Sequence, residues 1–247
     1  MNSPPPLTAL AALPAQLAGV GWAVLSCASL CELTGLQAAA INAWRPLWHD
    51  LPPDQHLRDG GRYRRRRHGC FVVKDTHCQP VPHRPHWQPV EYNALHGGIQ
   101  RRFDPLHDRL ADDPAWERLL VALAGVAIRM RSAGPWYVEA HPFRIEASDG
   151  IGRPTPEGAH RDGVDLVAVV FVARHNVKGG ETRVFEAHGP HGVRFTLTEP
   201  FSVLLLDDER VIHESTPIQP LDPALPSWRD TLVLTFRQGG FLGPAGD

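Results

Sequence analysis

Six segments rich in apolar and β-branched residues follow one another after Gly134: "WYVEAHPFRIEA", "DLVAVVFVARH", "ETRVFEAH", "GVRFTLTE", "FSVLLLDDE" and "DTLVLTFRQ". Turns rich in glycine, proline and aspartate separate them, and no segment of helical period lies between them. Such a chain cannot build βαβ units, because parallel neighbours need a long crossover element. It must pair its strands antiparallel and close them into a sandwich or barrel. The first part of the chain differs. "LTALAALPAQLAG" and "SLCELTGLQAAAINAWRPLW" carry helical spacing on either side of a short strand candidate, "GWAVL". Ser29 is the expected cap of the second helix, with Glu32 completing a capping box. "DPAWERLLVALAGVAIRMRSA" is the clearest long helix, with Asp113 at its start, Pro114 in the first turn and arginines near its end. The expected fold is α+β in a single domain, 1–247. A helix-rich part, 1–133, packs outside a β jelly-roll core, 134–240.

Composition narrows the partners. A net charge of −2 leaves no global basic field of the kind that draws nucleic acid. The basic run from Arg62 to Arg67 reads as a strand with an arginine face in water or in salt bridges. An inward-pointing member of that run would be free to bind the carboxylate of a small substrate. No run reaches the ~18 apolar residues of a membrane span, and the apolar start, broken by Pro14, reads as a helix of the fold rather than a secretion signal. The four cysteines form no CxxC pair and fit free thiols in a reducing cytoplasm, the expected location. "CQPVPHRPHWQPVEYNALHGG" holds too many prolines for a regular element and reads as an ordered loop that can line a site. The histidines from His68 to His96 lack zinc-type spacing and read as surface groups.

The chemistry concentrates in "PEGAHRDGVDLVAVVFV". His160 and Asp162 are separated by one residue, so in extended backbone both side chains leave the same face, about 7 Å apart. His213 follows in "LLLDDERVIHESTPI", after an apolar strand of the kind that closes a barrel. Two imidazoles and one carboxylate are ligands that iron(II) takes, and three such ligands on one face leave positions open for a chelating cosubstrate and dioxygen. Arg229 opens the last strand, where a guanidinium can pair in bidentate fashion with the far carboxylate of 2-oxoglutarate. An HxD pair alone is a weak signal; HxD, a distant histidine and an arginine opening the next strand together are a strong one.

"GAHRDGVDLVAVVFVARHNVKGGETRVF", "LLDDERVIHESTPI" and "RDTLVLTFR" resemble the bacterial 2-oxoglutarate/Fe(II) dioxygenase family that includes the free L-isoleucine hydroxylase and related amino-acid hydroxylases. The resemblance is dense from about Tyr137 to Arg237 and thins upstream, where "RYRRRRHGCF" and "YNALHGGIQRRFDPL" still resemble family segments. It implies a double-stranded β-helix core, cupin-like in form. It also implies His160, Asp162 and His213 as iron ligands, Arg229 as the 2-oxoglutarate anchor, and O2 as co-reactant. The expected activity is hydroxylation of a small molecule, a free amino acid or a derivative, with succinate and CO2 as co-products. Halogenating relatives carry a small residue at the carboxylate position, so Asp162 favours hydroxylation. Two alternatives stay open: the same core acting on a peptide or another metabolite, and a non-catalytic metal-binding or sensory jelly roll. Nucleic acid and membranes are not expected partners, and monomer and dimer are equally compatible with the pattern. By strand parity, either Tyr137 with His141, or Arg144, faces the barrel interior and can touch cosubstrate or substrate. The loop "GIGRPTPEGA" before His160 can fold over the substrate as a lid.

Overall fold

The computed structural model describes residues 3–93 and 95–244. Its first part holds α1 (Leu13–Val20), β1 (Trp22–Leu25), α2 (Cys27–Thr34), α3 (Ala38–Asn42), β2 (Arg64–Arg66), β3 (Gly69–Lys74) and β4 (His77–Pro80). Two further helices follow, α4 (Asp108–Ala111) and α5 (Pro114–Met130). The remaining strands are β5 (Trp136–Glu146), β6 (Leu166–His175), β7 (Val177–Gly179), β8 (Thr182–Glu186) and β9 (Gly192–Phe195). They continue with β10 (Val203–Asp207), β11 (Val211–Ser215), β12 (Ile218–Pro220) and β13 (Trp228–Arg237).

Every strand pair is antiparallel. A large sheet runs β1-β10-β6-β13-β5-β3-β4, with β2 also on β5; β11-β8-β9 and β12-β7 form the facing strands. This is the double-stranded β-helix of a jelly roll, flanked by helices. The central strands read as continuous apolar runs because both their faces are buried. Even-numbered Leu166, Ala168, Val170 and Val172 of β6, with Leu232, Leu234 and Phe236 of β13, join α5 in the main core. The opposite faces, with Val167 and Phe171 of β6 and Leu204 and Leu206 of β10, pack against Val184, Phe195 and Val211 of the facing strands. That second core fills only part of the space between the sheets. A cavity occupies another part, lined from β5 by Tyr137, Glu139, His141, Phe143 and Ile145 and from β13 by Arg229, Thr231, Val233, Thr235 and Arg237. The odd-numbered face of these two strands is therefore the inside.

The helices depart from expectation in one place. "SLCELTGLQAAAINAWRPLW" is not one helix: α2 ends at Gly35 in left-handed backbone (φ 65°), α3 spans five residues, and a 3-10 turn covers Arg45–Asp50. The cap of α2 is Ser26, whose side chain accepts from the Ser29 N–H, so Ser29 lies inside the helix. α5 starts as its sequence requires. The Asp113 carboxylate accepts from the Ala115 N–H, Pro114 occupies the first turn, and Trp116, Leu119, Leu120, Leu123 and Ala127 form the buried stripe. The Asp113 carboxylate also accepts from the Trp44 indole at 2.8 Å, tying the 3-10 turn to the helix.

Candidate active site

His160 and Asp162 lie on the connection between β5 and β6, and His213 lies within β11. The His160 and His213 main chains exchange two N–H···O bonds of 3.0 Å, an isolated antiparallel bridge that docks the HxD segment on the edge of β11. Residues distant in sequence thus come side by side. His160 Nε2 stands 4.0 Å from Asp162 Oδ1, and His213 Nε2 stands 3.8 Å from Asp162 Oδ2. One ligand atom from each of the three lies within 4.8 Å of the others. The Gly158 carbonyl, 2.9 Å from His160 Nδ1, can only accept, so the ring proton sits there and Nε2 presents its lone pair inward.

The loop is held by a residue that the motif does not contain. Asp208 accepts the backbone N–H groups of Asp162, Gly163 and Val164 at 3.0, 2.7 and 3.1 Å. Gly163 makes that turn at φ 78°, with the Tyr92 ring packed where a side chain would begin. Burial pushes Asp208 up to about 7, with the Asp162 charge adding to the effect. Burial raises Asp162 as well. Burial alone would lower His160, but the carboxylates of Asp162 and Glu157 outweigh it and hold the ring above its ordinary value. His213 falls well below its ordinary value, through burial and through the neighbouring His160. A buried carboxylate between two imidazoles, one of them held neutral, is a donor set that suits a divalent cation.

Arg229 lines the same cavity, two residues from Thr231 on the inward face of β13. It is 3% exposed, and among the described residues its Nε and Nη2 have no hydrogen-bond partner. Burial lowers it to about 10, with the neighbouring Arg174 adding to the effect, so it remains a cation at neutral pH. A cation buried without a counter-ion is costly, and the vacant N–H edge fits the carboxylate of a chelating cosubstrate. The ladder between β6 and β13 shifts register between Asp230 and Thr231, a bulge at the point where Arg229 turns inward. Gly180 lies alongside at φ 69°; a Cβ there would meet Arg229 Cδ at 3.3 Å and Ile218 Cγ2 at 3.0 Å.

Of the two parity alternatives on β5, Tyr137 and His141 face the cavity and Arg144 does not. The Arg144 guanidinium makes a two-pronged bond to Asp230 (2.8 and 2.7 Å) and stacks on Trp228 on the other side of the sheet. It cannot touch a cosubstrate in this cavity. Tyr137 packs edge-on against Phe241 at the cavity wall. The loop before His160 contributes Pro154, Thr155 and Glu157 to the lining, pinned to β11 by Thr155 Oγ1 donating to the Ser215 carbonyl.

The histidines between His68 and His96 are a correction. His68, His86 and His96 are buried, and the proline-rich loop folds back on itself through paired main-chain bonds between His86 and Arg101. His86 Nδ1 meets Glu139 Oε2 at 2.5 Å, and His68 Nε2 and His141 Nε2 each stand 3.5 Å from the same oxygen. These four side chains form a second group spaced to hold a metal. Its chemistry is less suited. Arg66, which can only donate, meets His141 Nδ1 at 2.6 Å, so this ring's proton must lie on Nε2, the nitrogen that faces Glu139. Burial would raise Glu139, but His86, His141 and His68 hold it well below the usual carboxylate range. Burial in turn lowers all three histidines, His86 to about 4. The cluster is a hydrogen-bonded carboxylate among neutral rings. Gln88, on the same loop, completes the first site by donating from Nε2 to Asp162 Oδ1 at 3.1 Å. Gln88, Glu139, Asp208 and Arg101 stand outside the pattern of His160, Asp162, His213 and Arg229, and of the four the proline-rich loop holds Gln88 alone.

The profile of the 2OG-Fe dioxygenase family matches residues 45–235 of the chain. Among solved structures, a bsmA homolog from Methylobium petroleophilum PM1 is 56% identical, with a TM-score of 0.92 over 97% of this chain and 97% of that one. IDO from Bacillus thuringiensis shares the fold at 15% identity, with a TM-score of 0.74 over 92% of this chain and 94% of that one. The Fe(II)/(alpha)ketoglutarate-dependent dioxygenase TqaL shares it at 20% identity, with a TM-score of 0.70 over 94% of this chain and 88% of that one. No curated protein matches the chain.

Proposed function

Because the chain belongs to the 2OG-Fe dioxygenase family, we propose that it hydroxylates a free amino acid or a derivative, with Fe(II) held by His160, Asp162 and His213 and 2-oxoglutarate anchored by Arg229. Bound there, iron, 2-oxoglutarate and O2 supply the oxidation of a C–H bond, with succinate and CO2 as co-products. The observation that carries the reading is Arg229: a buried guanidinium with two vacant nitrogens, opening into the cavity that holds the three-ligand group. The chain's own contribution is positioning. Asp208 fixes the HxD loop, Gly158 fixes the His160 tautomer, and Gln88 steadies the Asp162 carboxylate. The three-ligand group and Arg229 line one continuous cavity, so a chelating cosubstrate could span from one to the other. A carboxylate at position 162 fills the place a halide would need, which favours hydroxylation. The amino-acid substrate follows the resemblance of "GAHRDGVDLVAVVFV" and "RDTLVLTFR" to the amino-acid hydroxylases.

Anaerobic titration with Fe(II) and 2-oxoglutarate tests the site: a weak visible charge-transfer band is expected, and its absence counts against the assignment. Succinate release across the free amino acids tests the substrate. Silence across all of them with the band intact moves the substrate to a peptide or another metabolite.

A further inference from the structure

Arg66 and Arg101 are buried cations that lack an anion. They are 3% and 2% exposed, and both line the cavity of the three-ligand group. Among the described residues no carboxylate forms a salt bridge with either, and the Nε of each has no hydrogen-bond partner. Guanidinium groups stay protonated in proteins, so these are full charges taken out of water. The neighbouring Arg64 shows the contrast: Asp54 stands 2.7 Å from its Nε and neutralises it.

The carboxylate that should neutralise Arg66 is withheld from it. Glu139 is occupied by His68, His86 and His141, and Arg66 reaches only the far nitrogen of His141. The histidines act as an insulating layer. Phe103 and Phe143 clamp the Arg66 guanidinium, with their centroids 3.8 and 4.4 Å from its Cζ, which orients it without consuming its N–H groups. Arg101 spends one nitrogen on Gln88 Oε1 at 2.8 Å. The same amide donates from its other end to Asp162. One side chain therefore separates Arg101 from Asp162.

We propose that Arg66 and Arg101 receive a carboxylate of the primary substrate, with Gln88 setting its distance from the metal. This rests on reading the cavity as the site that oxidises a small molecule, in which Arg229 serves the cosubstrate. A carboxylate entering here completes a charge balance that the folded protein leaves open, and it draws the attached carbons toward the ligands. Removing that carboxylate from the substrate, as a carboxamide does, removes the anchor.

Protein loaded anaerobically with Fe(II) and saturating 2-oxoglutarate is titrated with acetate, inorganic phosphate, the free amino acids and their carboxamides, following melting temperature and the charge-transfer band. Carboxylates are expected to raise the melting temperature and amino acids to perturb the band, at concentrations where carboxamides do neither. Arg101→Met and Arg66→Lys are each expected to weaken carboxylate binding at least tenfold and to leave the band formed with 2-oxoglutarate alone unchanged. Without ligand, Arg101→Met should hold or raise the melting temperature, because it removes an uncompensated charge; a merely structural arginine would lower it. Stabilisation by phosphate in place of carboxylates, equal binding of carboxamides, no response to any carboxylate, or undiminished binding in both variants overturns the proposal. So does loss of the 2-oxoglutarate band in the variants, which would reassign these arginines to the cosubstrate. Absence of that band in the wild type counts against the iron reading instead, and stabilisation of the metal-free protein by carboxylates then still tests the arginines.

Discussion

At the scale of single residues, the site is a set of buried charges that protein groups leave only partly paired. Asp162 is the sharpest case. Burial raises it, two imidazoles face it, and its loop is held by main-chain bonds to Asp208 rather than by its own carboxylate. Asp162→Ala should therefore fold normally and lose Fe(II) binding. The check is the anaerobic charge-transfer band, absent in the variant, beside an unfolding curve that matches the metal-free wild type. Arg229 gives a graded outcome. A charge-assisted hydrogen bond contributes roughly 1.5–3 kcal/mol, so Arg229→Met should weaken 2-oxoglutarate binding about tenfold to a hundredfold. Binding of Fe(II) in the absence of 2-oxoglutarate should not change, since among the described residues Arg229 makes no hydrogen bond or salt bridge with His160, Asp162 or His213. An unaltered 2-oxoglutarate affinity would move the anchor elsewhere in the cavity.

At the scale of elements, the long runs were legible, α5 among them, and the short elements were not. The six runs after Gly134 became β5, β6, β8, β9, β10 and β13, because alternation and turns are local signals, whereas β7, β11 with His213, and β12 are three to five residues long and left no run to read. Parity placed Tyr137 and Arg144 on opposite faces of β5, but parity cannot say which face closes over a cavity. That choice was made by Asp230, one strand away, which claims Arg144. Periodicity failed over 29–48, where Gly35 enters left-handed backbone and breaks what reads as one helix. The Ser29 cap failed for a related reason: Ser26 offers the same hydroxyl three residues earlier, at the true start. Ser26→Ala should cost about 1 kcal/mol in urea unfolding with no effect on turnover, since α2 lies away from the cavity. Gly180 behaves differently because its turn abuts Arg229. Gly180→Val forces a β-branched residue to φ 69° and crowds the Arg229 stem. Expected are a lower melting temperature and a raised KM for 2-oxoglutarate, whereas Ser26→Ala moves only the first. A normal KM in Gly180→Val would show that the Arg229 stem absorbs the contact.

At the scale of the whole molecule, a sheet buried on both faces must take polar groups inside to make a site, and here it takes in many histidines. Acid should expose that choice. His86 has a folded-state pKa of about 4, against about 6.5 unfolded, because burial disfavours its charged form. Between those values the unfolded chain binds the extra proton and the folded protein does not, so stability falls as pH falls. The contribution is fully present above pH 6.5 and is lost on the way to pH 4, where it amounts to about 3 kcal/mol for this ring. His68 and His141 are lowered too, and Glu139, held below its ordinary value, loses its own contribution as pH falls through the acid range. All four act in the same direction. Asp208, raised to about 7, and Asp230, raised to about 6, act the other way over the same range, so the histidine contribution is read as the difference between a variant and the wild type in urea unfolding with a chelator present. His86→Asn keeps an amide donor near the position of Nδ1, facing Glu139, but cannot take up a proton. Its midpoint should fall less steeply between pH 6.5 and 4 than that of the wild type. Equal slopes would mean that the charge enters the fold through a different histidine, and His68→Asn would then be the next variant to compare.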